Sequence, residues 1–131
     1  MLTICDTHAL IFDFLSPDQL GSAAARAIDE AEAGRDLACA DTSLWEIAML
    51  VEKRRIPVPA STEEFILALL TARRIEVLPI TPAIAAVASS GRIPWRDPFD
   101  RLIAAAAIVH QAALVTRDRR MAGIPGLSIV W

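Results

Sequence analysis

Short apolar runs alternate along this chain with longer segments of helical period. Leu2 to Cys5 is apolar, carries β-branched residues and reads as a strand ending at Asp6, after which Ala9 to Leu15 continues as a helical segment. Ser16-Pro17-Asp18-Gln19 places a capping Ser, Pro at the first helical position and Gln three residues after the cap, which predicts an alanine-rich helix up to Gly34. Leu37 to Ala40 reads as a second buried strand, ending at Asp41. Ser43-Leu44-Trp45-Glu46 then opens a helix to about Arg54, with Glu46 in its first turn. Pro57 and Pro59 break the chain, Ser61-Thr62-Glu63-Glu64 caps a helix to about Arg74, and Ile75 to Leu78 is a third strand. Thr81-Pro82 starts a short helix that stops near Gly91, and Arg92 to Arg96 is a loop. Asp97-Pro98-Phe99-Asp100 supplies the cap and first turn of a long helix to about Ala112. Leu114 to Thr116 is a fourth strand with Asp118 just beyond it, and Leu127 to Trp131 a short final one.

Strands alternating with helices imply an α/β fold with a central parallel sheet of four to five strands, covered on both faces. No repeat or low-complexity linker divides the chain, so a single domain over residues 1–131 is expected. In such a sheet the strand C-termini and the helix N-termini share one edge, where ligands of open α/β sheets bind. Asp6 and Asp118 leave strand ends, and Glu46 and Asp100 lie near helix starts, so all four carboxylates fall on that edge.

Composition narrows the class further. Hydrophobic residues make up 54% and charged residues 22% of the 131, which excludes a disordered chain. The purely apolar stretch around Ile103 to Val109, which begins at Leu102, is far short of the roughly 20 residues that span a bilayer. The N-terminus lacks the basic and apolar regions of a secretory signal, so a cytoplasmic location without membrane association is expected. Cys5 and Cys39 lie in strand-like runs without metal-ligand spacing and read as buried thiols. A net charge of −3 argues against broad adhesion to nucleic acid, and no direct DNA binding is expected.

Gathering four carboxylates is costly: at about 4 Å and an effective dielectric near 20, each like-charge pair repels by roughly 4 kcal/mol. Raised pKa values are one remedy. A hard divalent cation is the more economical one, because oxygen ligands without His or Cys select Mg²⁺ or Mn²⁺. Such an ion keeps waters and leaves room for phosphate oxygens, which points to hydrolysis of a phosphodiester by metal-activated water. Ser43 to Glu46 and Asp97 to Asp100 also read as helix caps, yet caps have no need of a common edge.

Four blocks carry a resemblance: Leu2 to Leu10 around Asp6, Ser43 to Ala48 around Glu46, Asp97 to Ala105 around Asp100, and Leu114 to Met121 around Asp118. In this order and spacing the chain resembles PIN domains of the VapC type over nearly its whole length. The resemblance implies a three-layer α/β/α sandwich and an Mg²⁺- or Mn²⁺-dependent endoribonuclease. It also implies a homodimeric toxin paired with a small VapB-like antitoxin. Matched motif by motif, Asp6, Glu46, Asp100 and Asp118 take the catalytic metal-site roles, with Thr116 orienting a water or a carboxylate. Asp97 acts as a helix cap, in support of the site, or both. VapC-like chains often carry Gly after the Trp-Glu helix, where this one has Lys53-Arg54-Arg55-Ile56.

Six arginines (Arg92, Arg96, Arg101, Arg117, Arg119 and Arg120) flank the acidic edge in the expected topology, and Arg101 and Arg117 are the candidates for contact with the RNA substrate. Trp45 and Phe99 read as core anchors, Asp41 as a turn residue, and neither His8 nor His110 as a needed ligand. The competing class is a catalytically silent PIN-like binding module. A receiver-type phosphoacceptor domain would need an acidic pair after the first strand and a Lys after the last; here Thr7-His8 follows Asp6 and no Lys lies beyond Lys53. A dehalogenase-like phosphatase would need an Asp where His8 stands.

Overall fold

The computed structural model describes residues 1–131. In chain order the elements are β1 (Thr3–Cys5), α1 (Thr7–Leu15), α2 (Ser22–Ala33), β2 (Leu37–Ala40), α3 (Asp41–Glu52), α4 (Thr62–Ala72), β3 (Glu76–Leu78), α5 (Pro82–Ser89), α6 (Pro98–Val109), β4 (Ala113–Val115) and β5 (Ser128–Val130). Short 3-10 turns occupy Pro17–Gln19 and Arg119–Met121. The five strands form one parallel sheet in the order β3-β2-β1-β4-β5.

The period of two along each strand builds a core on either face. Ile4, Ala38, Ala40, Leu78 and Leu114 point to one side, where Ile84 and Ala88 of α5 and Ile103 to Ala107 of α6 cover them. Cys5, Leu37, Cys39 and Val115 point to the other, under Leu10 of α1, Ile28 of α2, Ile47 of α3 and Phe65 and Leu69 of α4. This is the three-layer α/β/α sandwich with a central parallel sheet that the alternation of elements implied. The alanine run of α6 is wholly buried, because small side chains let that helix lie close on the sheet. Cys5 and Cys39 are Cα partners on adjacent strands, buried and unpaired, and burial pushes the Cys39 thiol up to about 12. No helix is long and apolar enough to cross a membrane.

Three local expectations need correction. The helix expected from Ser16 to Gly34 is two elements: Ser16 makes no side-chain cap, a 3-10 turn follows, and α2 starts afresh with Gly21 as its N-cap. A Cβ at Gly21 would meet the carbonyl carbon of Trp131 at 2.6 Å, so the break lets the C-terminal residue pack there. The capping box at Ser43 does not exist either. α3 begins at Asp41, directly on the end of β2, and Ser43 turns inward, where its hydroxyl accepts from Thr7 Oγ1 at 3.0 Å. Glu46 therefore stands in the second turn of α3.

The third correction concerns helix ends, which fall short of Arg54, Arg74 and Ala112. Arg35, Arg54, Arg74 and Gln111 all take positive φ of 52–58°. Each is followed by an amide that donates back five residues, as Arg55 to Leu50 and Ala112 to Ala107 at 2.9 Å. This is the left-handed helix stop that glycine usually supplies.

Candidate metal centre

The sheet delivers its acids from adjacent strands. Asp6 is the first residue past β1 and caps α1, accepting the Ala9 amide at 2.8 Å. Asp118 follows β4 and caps the second 3-10 turn, accepting the Arg120 amide at 3.0 Å. Asp97 caps α6 by accepting the amides of Phe99 (2.9 Å) and Asp100 (3.3 Å), which leaves Asp100 in the first turn of that helix. With Glu46 these residues line a single cleft of about 390 Å³, completed by His8, Arg117 and Arg120, and no hydrophobic side chain faces it.

Thr116 is buried behind the cleft; its hydroxyl accepts the Asp118 amide at 3.1 Å and also favours the charged form of Asp6. The buried Thr7–Ser43 hydrogen bond joins the first turns of α1 and α3, and so sets Glu46 relative to Asp6. Sequence reasoning missed this link. No local pattern announces it, because Thr7 and Ser43 are 36 residues apart in sequence.

Burial holds Asp6 above the ordinary carboxylate range, opposed by Thr116, the Ala9 amide and His8, and reinforced by Asp118. Burial also raises Asp100, from 3.8 to about 6, and the charges of Asp97, Glu46, Asp118 and Asp6 add to the effect. Asp118 moves the other way, because hydrogen bonds from Arg120 stabilise its carboxylate. The Arg120 guanidinium lies 2.5 Å from Asp118 Oδ2 and 3.8 Å from Asp100 Oδ2. No three His, Cys, Asp or Glu side chains are grouped closely enough in this arrangement to clasp an ion. The donor set nevertheless fits a hard cation: its acids are oxygen ligands, and a cation would offset the burial and like charge that hold Asp6 and Asp100 up.

The arginines divide. Arg117 lines the cleft with its guanidinium 5.0 Å from the centroid of the Phe12 ring. Arg101, expected at the RNA, is a structural residue instead. Its guanidinium donates to the carbonyls of Ala88 (2.8 Å), Ser90 (3.0 Å), Ile93 (2.7 Å) and Trp95, tying the end of α5 and the loop after it to α6. A planar cation with several donors suits a helix C-terminus and its unpaired carbonyls. Arg92 is likewise engaged, with the Pro125 carbonyl. Asp41 lies outside the cleft and accepts the Ile80 amide at 3.1 Å.

An α/β/α sandwich with carboxylates converging at the C-terminal edge of its parallel sheet defines a class, and the sequence comparison agrees with it. The family model of the PIN domain matches residues 3–127, and the chain belongs to the PIN domain family. It is 38% identical over 120 residues to Ribonuclease VapC22 of Mycobacterium tuberculosis, an alignment spanning 90% of this chain and 88% of that protein. Its fold is similar to VapBC2 from Rickettsia felis bound to a promoter DNA fragment, with TM-score 0.72, 16% identity, and 98% and 97% of the two chains covered. A toxin-antitoxin complex from Klebsiella pneumoniae gives TM-score 0.60 at 24% identity, with 95% and 94% covered.

Proposed function

We propose that this chain is a single-domain Mg²⁺- or Mn²⁺-dependent endoribonuclease and the toxin of a VapBC-type pair. It would act as a homodimer in the cytoplasm and be held in check by a small VapB-like antitoxin. The observation that carries the chemistry is the cleft itself, in which Asp6, Glu46, Asp97, Asp100 and Asp118 meet without an apolar neighbour. RNA as substrate and the antitoxin as partner draw support from the relative named a ribonuclease and from structural neighbours solved as toxin-antitoxin complexes.

Asp6, Glu46, Asp100 and Asp118 would hold the ion, which when bound neutralises phosphate charge and acidifies water. Thr116 favours the charged form of Asp6 against its burial and, by accepting the Asp118 amide, orients Asp118. Asp97 fixes the start of α6 and adds negative charge beside Asp100. Arg120 is exposed and free to leave Asp118, and with Arg117 it supplies the positive charge at the rim that an RNA backbone meets.

A silent PIN-like binding module would have no use for carboxylates kept at such electrostatic cost. The deciding experiment is cleavage of single-stranded RNA by the purified protein. Activity should require Mg²⁺ or Mn²⁺, stop with EDTA, and vanish in Asp6→Asn and Asp118→Asn; cleavage undiminished in both variants would sink the assignment. The toxin role has its own test: growth arrest on induction, relieved by co-expression of the small protein encoded beside this gene. Induction without arrest would count against it.

A further inference from the structure

We infer that Trp45 and Phe99 form a stacking platform for an unpaired base of single-stranded RNA, at the α3 side of the carboxylate cleft. The inference rests on the RNA-cleaving reading above and adds a substrate-binding surface to it. Both aromatics were expected to anchor a core, and the structure places them elsewhere. Trp45 is 65% exposed, Phe99 is only partly buried, and neither ring packs into either core cluster. They pack on each other, with centroids 5.7 Å apart and planes tilted by 59°.

Their position relative to the acids gives the platform its occupant. Trp45 directly precedes Glu46 and Phe99 directly precedes Asp100, so the pair bridges α3 and α6 next to two residues that line the cleft. Beside the rings the cleft is lined by Glu46, Asp97 and Asp100, which repel phosphate, and its two cations, Arg117 and Arg120, come from the segment after β4, Arg120 reaching to 3.8 Å from Asp100. Trp45 stands on α3, which leaves β2, and Phe99 on α6, which packs on α3, while Arg117 and Arg120 follow β4 on the other side of β1. A strand of RNA crossing the cleft then meets the Arg117 and Arg120 cations for its backbone and, at the junction of α3 and α6, neutral aromatic surface for a base. Only an unpaired base offers a free face to such a ring, which selects single-stranded over duplex RNA. Every base has a π-face, so the platform contributes affinity and positioning without choosing a sequence.

The test uses the full chain with Trp45→Ala and Trp45→Phe, which change an exposed position. Steady-state cleavage of a mixed-sequence single-stranded RNA of about twelve nucleotides in Mn²⁺ should show KM raised about 5- to 100-fold in Trp45→Ala, the range of a lost base stack. The value should be largely restored in Trp45→Phe, with kcat changed far less. In an Asp100→Asn background that leaves the RNA whole, the same oligonucleotide should quench tryptophan fluorescence, and Trp45→Phe should abolish that quench while retaining binding. Normal KM in Trp45→Ala, with the parent enzyme active, overturns the platform and leaves the ribonuclease assignment standing. A parent protein that neither binds nor cleaves RNA overturns both. Sedimentation showing that Trp45→Ala only dissociates a dimer, with RNA affinity unchanged, assigns the rings to a protein contact and overturns the platform.

Discussion

Replacing Asp100 with Asn removes one carboxylate from a cleft that holds four others. Burial and those charges raise Asp100 from 3.8 to about 6, so without a metal ion its ionisation at neutral pH costs the folded state up to roughly 3 kcal/mol. The side chain is 26% exposed, and solvent screening in an open cleft reduces the cost to about 1–2 kcal/mol. Asn also forfeits a negative charge in the first turn of α6, worth about 0.5 kcal/mol. The variant should therefore be more stable than the parent in EDTA by about 1 kcal/mol, or roughly 3–5 °C in Tm for a chain of this length. The folded pKa lies above the unfolded one, so the parent's penalty is absent below about pH 4 and complete above about pH 6. Thermal unfolding followed by circular dichroism should accordingly show the gain at pH 7.5 shrinking to nothing by about pH 4. Saturating Mn²⁺ should reverse the order, since a ligand present at about 100 times its Kd adds roughly 2.7 kcal/mol to the protein that binds it. A variant no more stable than the parent in EDTA at pH 7.5 would refute the reasoning, as would an equal gain at pH 4.

The same titration governs the ion. Mn²⁺ affinity measured by calorimetry should hold above about pH 6 and fall below it by up to tenfold per pH unit as Asp100 takes up its proton; a flat profile between pH 5 and 7 would exclude Asp100 as a ligand. Arg101→Ala leaves four carbonyls without their donor, and urea unfolding should show a loss of about 3 kcal/mol. Arg54→Gly relieves a left-handed backbone at φ 56° and should raise stability by about 0.5–1 kcal/mol in the same assay.

Much of the fold was legible because its signals are local. Strand runs at Leu37–Ala40 and Glu76–Leu78 carry their own apolar pattern, and Ser61, Thr81 and Asp97 cap helices as their types and spacing imply. Helix ends were less legible, since the left-handed stops at Arg54, Arg74 and Gln111 use residues with no preference for that conformation. The break at Gly21 depends on Trp131, more than a hundred residues away in sequence, and no local pattern contains it. The placement of Asp6, Asp118 and Asp100 was readable from two strand ends and a helix start, whereas Glu46 stands a turn deeper in α3 than its sequence suggested. The partners of the surrounding polar side chains were not readable, because a guanidinium such as Arg101 or Arg120 has several short-range acceptors to choose among. Arg101 satisfies carbonyls of its own loop, whereas Arg120, two residues from Asp118, lies across the cleft.

The most direct test of a divalent-metal centre at this sheet edge is a Mn²⁺ titration at pH 7.5, with free ion followed by electron paramagnetic resonance. Saturable binding by the parent protein is expected, weakened at least about tenfold in each of Asp6→Asn and Asp100→Asn, as loss of a charged ligand requires. Affinity should be improved in Arg120→Gln, where no guanidinium competes for Asp118. Failure of the parent protein to take up Mn²⁺ saturably, or equal affinity in the parent and both carboxylate variants, would contradict the account.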